Sequence, residues 1–175
     1  ITLEAIGSES KMFSNKNLNI NQNGHLFMGN QDTVELAKEY GTPLYLLDTD
    51  TVRNNCRGYK EAIDTFYEGN GLALYASKAL CTLHTARIAA EEGLGADAVS
   101  GGEIYTLKKA DFPMEKVFFH GNNKTPDEIS LAMDCGVGHI VVDNVYELDN
   151  VNRIAKEKNI VQKIIFRIKP GIDAH

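Results

Sequence analysis

The sequence predicts an α/β fold built on a parallel sheet, and three observations carry that reading. Apolar runs begin near Leu72, Gly95, Val117, His139 and Val161, recurring about every 22 residues. Between them lie helix-length stretches with apolar stripes, and a strand-helix unit repeated at that length is joined by right-handed crossovers. The runs Val117-Phe118-Phe119, Ile140-Val141-Val142 and Ile164-Ile165-Phe166 are apolar on both faces, as expected of strands that helices cover. Such units fit either a complete, open, doubly wound sheet or the first five of eight units of a (β/α)8 barrel, whose full form takes about 250 residues.

The elements follow in order. Met12 opens a stretch that runs on into Asn17, and no methionine stands at position 1. Residues 1–16 are therefore expected to be a vector-derived or disordered leader. Leu18-Asn19-Ile20-Asn21, Asn23-Gly24 and His25-Leu26-Phe27-Met28 predict a hairpin, with Asn-Gly in a type I′ turn. A helix follows, with Asp32 as cap, Glu35 completing a capping box, and Gly41 with Pro43 as its stop. Pro43 to Leu47 reads as a short strand. Val52, Cys56, Tyr59, Ile63 and Phe66 then draw one stripe on a longer helix. Within the repeat, helices are expected over Leu80 to Glu92, Gly102 to Ala110, Pro126 to Cys135 and Val145 to Lys156. The first shows its stripe at Leu80, Leu83, Ala86 and Ala90.

The composition narrows the function. Apolar residues make up 43% of the 175 and charged residues 24%, an ordinary globular mix, and the net charge of -6 is interspersed. No basic stripe invites nucleic acid, and no apolar run reaches the roughly 20 residues of a membrane span. The N-terminus lacks the basic and apolar regions of a signal peptide. Cys56, Cys81 and Cys135 are scattered and odd in number, which fits reduced thiols in a cytoplasmic protein better than a zinc site or disulfide frame. G-x-G-x-x-G, P-loop, G-x-S-x-G and H-E-x-x-H patterns are all missing.

In either architecture, sites gather at the C-terminal ends of the parallel strands. Those ends read Lys78; Ser100-Gly101-Gly102-Glu103; His120-Gly121-Asn122-Asn123-Lys124; Asp143-Asn144; and Arg167 with Lys169. Lys78 closes the apolar run Leu72 to Ala76, and an amine held against an apolar wall becomes a nucleophile able to condense with an aldehyde. Lys78 is expected at the end of a central strand, on a rim shared with His120 and Arg167. Asp97, inside a strand, must be paired or functional unless it points outward into solvent. Arg167, between Phe166 and Ile168, is expected to face the interior and to need an anionic partner. Gly101-Gly102 could offer backbone N–H groups to a phosphate or simply make a tight turn.

Tyr75-Ala76-Ser77-Lys78-Ala79 resembles the Schiff-base lysine motif of the fold-type III pyridoxal phosphate enzymes, the alanine racemase and ornithine decarboxylase superfamily. Within it, Asp97 to Glu103, His120 to Thr125, Gly136-Val137-Gly138, Ile140 to Asp143 and Arg167 to His175 are similar to the diaminopimelate decarboxylase family. So are Asn23 to Leu26 and Tyr40 to Tyr45, so the resemblance runs from about Ile20 to His175. It implies the barrel of the alanine racemase type over residues 43–175, preceded by a hairpin and short helix over 17–42. It implies pyridoxal 5′-phosphate as cofactor, Lys78 as its covalent anchor and catalytic residue, and Asp97, His120 and Arg167 as cofactor-binding residues. Glu103 is a further candidate.

The implied activity is decarboxylation of meso-diaminopimelate to L-lysine by a full-length, homodimeric parent with a small amino-acid substrate. The family's later motifs would follow His175, so the chain alone is expected to be inactive as a decarboxylase. Two other readings stand beside this one: another basic amino-acid decarboxylase of the same fold, acting on ornithine, arginine or carboxynorspermidine, and a non-catalytic pyridoxal-phosphate-binding protein.

Overall fold

The computed structural model describes residue 13 and residues 15–171, and the chain falls into two units divided between Asn55 and Cys56. Residues 1–12 and 14 of the expected leader, and residues 172–175 of the last motif, lie outside the described residues.

In the first unit, β1 (Leu18–Ile20), β2 (Leu26–Met28) and β3 (Gln31–Asp32) form an antiparallel sheet, and α1 spans Thr33–Tyr40. The hairpin forms, but with the wider three-residue loop. Gly24 takes the positive φ (+76°) and donates its N–H to the Asn21 carbonyl, while Asn23 is not in that region. The Asn21 side chain explains the choice, because its Oδ1 accepts from the N–H groups of both Asn23 and His25. Asp32 caps α1 by accepting from Val34 and Glu35. The Glu35 carboxylate goes to Lys38 at 2.7 Å, so the capping box stays half-made. Pro43 to Leu47 is extended but finds no ladder partner among the described residues, and Tyr45 is fully exposed. The strand expected there does not form.

Helix α2 (Thr49–Phe66) runs across the division. Its expected stripe is only partly buried: Cys56 is covered, whereas Tyr59 and Phe66 are 68% and 81% exposed. Among the described residues, nothing packs on those two rings deeply enough to dry them.

The second unit carries the repeat. Strands β4 (Leu74–Ala76), β5 (Gly95–Ala98), β6 (Val117–Phe119), β7 (His139–Val142) and β8 (Lys163–Phe166) pair in sequence order, all parallel. Between them run α3 (Leu83–Glu91), α4 (Gly101–Lys109), α5 (Pro126–Cys135) and α6 (Val145–Glu157). Helix α3 starts later than its stripe suggested, because Ser77–Ala79 forms a 3-10 turn and Thr82 supplies the cap. Its buried residues are Thr85, Ala86, Ile88 and Ala89, while Leu80 and Leu83 stay exposed.

Cover is one-sided. Ala96, Ala98, Val117, Phe119, Ile140 and Val142 are buried to 2% or less, and in-register pairing puts them on the same face, the one against the helices. Asp97, Phe118 and His139 are in register with one another on the opposite face and remain partly exposed. Phe118 and His139 stack there with ring centroids 4.5 Å apart. Each fully buried Phe or Ile contributes about 1.5–3 kcal/mol, so stability is concentrated on the helical side.

The Gly136-Val137-Gly138 turn enters β7 by two different constraints. Gly136 ends α5 in the left-handed region (φ +79°), returning its N–H to Ala132 and Met133. At Gly138 a Cβ would stand 1.9 Å from the Glu115 carbonyl oxygen, so backbone approach itself excludes any side chain. Gly136→Ala should cost about 1 kcal/mol for the left-handed residue. Gly138→Ala should cost at least about 2–3 kcal/mol, because backbone must move. Urea midpoints at constant m-value check the ranking, and equal costs would contradict the contact.

Candidate active site

Parallel pairing brings the C-terminal ends of the five strands to one rim of the sheet. Lys78 lies there, though not as the last residue of a central strand. β4 is an outer strand and stops at Ala76, and Lys78 sits on the 3-10 turn that follows. It is exposed, and its amine has no hydrogen bond or ion pair among the described residues. The apolar wall expected around it is therefore not supplied by those residues.

What fixes the lysine is the serine before it. Ser77 is fully buried, with Oγ 2.8 Å from the Asp97 carbonyl oxygen and 3.0 Å from Glu103 Oε1. The Glu103 carboxylate is buried as well, and its Oε2 accepts from Val99 N–H at 2.8 Å and Ser100 Oγ at 2.9 Å. Glu103 thus ties the end of β4 to the loop after β5. It orients the turn that carries Lys78 rather than offering a free carboxylate to a ligand.

Asp97 pairs in register with Ala76, and its Oδ1 is buried without a hydrogen-bond partner. His120 follows β6 directly, its backbone N–H donating to Ala98 at 2.8 Å. The ring Nε2 stands 3.7 Å from Asp97 Oδ1, near enough for charge attraction but too long for a hydrogen bond. Asp97 and His120 therefore face each other with one acceptor still open.

Arg167 lies one residue beyond β8 rather than inside it, and its side chain is about half exposed. The anionic partner expected for it is Asp143, whose Oδ1 accepts from the guanidinium at 3.1 Å. Lys169 approaches the other oxygen of the same carboxylate at 3.5 Å. Arg167 and Asp143 form a second charged cluster at the ends of β8 and β7.

The Gly101 N–H is not free for a phosphate. It donates to Glu128 Oε1 at 2.9 Å, so this half of the glycine pair is closed by a carboxylate. That bond, with help from Thr125, holds the Glu128 carboxyl below its ordinary value, against a smaller push upward from burial. Glu128, Ser77, Glu147 and the partners of Lys124 were not among the residues expected at the site. The signal for the glutamates was present: Ser100, Thr125 and Asn144 each stand three residues before a glutamate at a helix start.

Residues 49–175 match the family of pyridoxal-dependent decarboxylases over its pyridoxal binding domain. The diaminopimelate decarboxylase of Bacillus methanolicus is 46% identical over 164 residues, which are 94% of this chain and 38% of that protein. The diaminopimelate decarboxylase of Bacillus subtilis is 42% identical over 158 residues, 89% of this chain and 35% of that one. The crystal structure of diaminopimelate decarboxylase from M. jannaschii in co-complex with L-lysine superposes with a TM-score of 0.85 at 36% identity, covering 93% of this chain and 38% of that one. The chain thus spans a little over a third of the length of these relatives, and the sheet and helices above match a portion of their barrel.

Two outcomes test the geometry. Glu103→Ala leaves the Val99 N–H without its acceptor and takes from the Ser77 hydroxyl one of its two acceptors, and should cost about 2–3 kcal/mol in urea unfolding. Amide exchange at Lys78 and Ala79 should quicken with it, and unchanged exchange would separate Glu103 from the lysine turn. Glu128→Gln should be less stable than wild type at neutral pH. Because the folded carboxyl titrates below its unfolded value, that stabilisation is complete above the ordinary carboxyl range and disappears as pH falls through the lowered value. Unfolding midpoints of the two proteins should therefore converge in acid.

Proposed function

The chain belongs to the pyridoxal-dependent decarboxylases through their pyridoxal binding domain, and from that premise we propose that Lys78 is the cofactor's anchor in a decarboxylase acting on meso-diaminopimelate. The carrying observation is the uncommitted amine of Lys78, presented at the rim on a turn that Ser77 and Glu103 hold from below. Since the chain spans a little over a third of its relatives, the activity is proposed for the complete protein, with an amino-acid substrate and a second copy of itself as partners.

The residues present fit pyridoxal 5′-phosphate. Asp97 Oδ1 is a buried acceptor with no donor, an arrangement that costs free energy until a donor arrives. His120 lies beside it with a planar face for a ring, and Arg167 adds a cation at the same rim. In the proposal Lys78 holds the cofactor covalently, Asp97 and His120 hold its surroundings, and Arg167 balances negative charge. Bound pyridoxal phosphate supplies the electron sink into which the bond to a departing carboxylate can drain. Lys78, with no competing partner, is also the group placed to hold a proton near the reacting carbon.

Support for the substrate comes from the relatives, whose names specify diaminopimelate decarboxylase, and from the His120-Gly121-Asn122-Asn123-Lys124 run. One of them is described with L-lysine, the product such a reaction would release.

Borohydride reduction in the presence of pyridoxal phosphate, followed by peptide mapping, should mark Lys78 above every other lysine. In the complete protein, Lys78→Ala should lower carbon dioxide release from meso-diaminopimelate by at least about a thousandfold. Turnover of ornithine or arginine in preference to meso-diaminopimelate would replace the substrate while keeping the anchor. Normal turnover by the Lys78→Ala protein would remove both.

A further inference from the structure

Lys124 is the last residue of the run that opens with His120, and it does nothing that a solvent-facing lysine does. Its side chain is 1% exposed, and its Nζ donates to the carbonyl oxygens of Gly121 and Val141, the latter at 2.9 Å. The third neighbour is Glu147 Oε1 at 2.8 Å, on a side chain only 4% exposed. That contact is an ion pair rather than a hydrogen bond, and Oε1 receives no hydrogen bond from any described residue. The ammonium also lies 5.6 Å from the centre of the Phe119 ring. Removing two charges from water is costly, so a pair of this kind is weak evidence for stability and calls for another reason.

The reason lies in what the three acceptors belong to. Gly121 is bonded to His120, whose own N–H is held by Ala98, so the Lys124 contact fixes the histidine's backbone from its other side. Val141 lies next to Val142, which accepts the Arg167 N–H, and two residues from Asp143, which holds the Arg167 guanidinium. Glu147 lies in the first turn of α6, whose cap Asn144 follows Asp143. One ammonium therefore joins the rim segment of His120 and Asp97 to the segment of Asp143 and Arg167.

We propose that Lys124 and Glu147 are the positioning pair of this site: the buried ammonium holds the His120 turn against the end of β7, and cofactor capture at Lys78 depends on that hold. This rests on the reading of Lys78 given above. Neither member touches the reacting atoms, and Lys124, with its protons committed to buried acceptors, does not substitute for Lys78.

The discriminating protein is the complete chain carrying Lys124→Met with Glu147→Leu. Exchanging a buried ion pair for apolar groups of similar volume is often neutral or favourable for stability, so the fold is retained while the hold is lost. At an unchanged urea midpoint, pyridoxal phosphate should bind about tenfold or more weakly, read from the visible spectrum and from borohydride labelling of Lys78. Amide exchange over 120–123 and 143–144 should rise by a similar factor, while the strands keep wild-type protection. Wild-type capture by this stable double variant, with wild-type exchange at the rim, would overturn the proposal.

Glu147→Gln, which keeps the shape and an acceptor for Lys124, guards against a variant that fails to fold, and it should show an intermediate loss. Normal capture by Glu147→Gln would equally overturn the pair's role. Failure of wild type itself to label at Lys78 would instead overturn the cofactor reading, and the rim exchange would still decide whether the pair holds the His120 turn.

Discussion

Helices cover one face of the five-stranded parallel sheet, and the rest of the structure follows from that asymmetry. The covered face is dry alanine, valine, isoleucine and phenylalanine, and it supplies the free energy that holds the unit together. The opposite face adds Val141 to the core but otherwise carries less of it, and there stand Asp97, His120 and His139. A polar residue on the helical face would be an unpaired group in a close-packed interior. On the other face such a group keeps some access to water. The strand ends then add what sheet pairing cannot satisfy, because each ladder stops and leaves N–H and C=O groups to be met by side chains.

How the rim meets them is a repeated device. Helices α4, α5 and α6 begin with a capping residue followed three positions later by glutamate: Ser100 and Glu103, Thr125 and Glu128, Asn144 and Glu147. In each case the carboxylate also reaches back to the preceding unit, to Ser77, to the Gly101 N–H and to Lys124 respectively. An acid at a helix N-terminus is already favoured by the helix dipole and by the open N–H groups there. Using the same acid to pin the neighbouring turn makes the rim a chain of linked staples. The turn bearing Lys78 is the first of them.

Much of this was legible in the sequence. The five strand positions and the helix Pro126–Cys135 followed from periodicity and from breakers, since a two-sided apolar run between polar loops has few alternatives. What misled was local propensity without tertiary cover. Pro43 to Leu47 has the composition of a strand but no neighbour to pair with among the described residues, and a strand is defined by its ladder. The α2 stripe has the right spacing, yet Tyr59 and Phe66 are wet, because spacing shows which residues share a face and not what lies opposite. Arg167 was right about its need for an anion and wrong about its depth. The staples went unread because each joins residues far apart in the chain, such as Ser77 and Glu103, whose meeting depends on the parallel register.

Two lysines of the same rim show how neighbours, rather than residue type, assign chemistry. Lys124 donates to two carbonyl oxygens in a buried pocket and is ion-paired there with the Glu147 carboxylate. Lys78 has the same side chain on a turn fixed by Ser77, with no such acceptors among the described residues. The sequence ranks them nearly alike, since both follow a strand of the repeat in a polar loop. The fold separates them by where the acceptors fall. The amine of Lys78 is left uncommitted, whereas that of Lys124 is held in place. The buried lysine ties the turn after β6 to the end of β7, while the exposed one stays without an acceptor among the described residues.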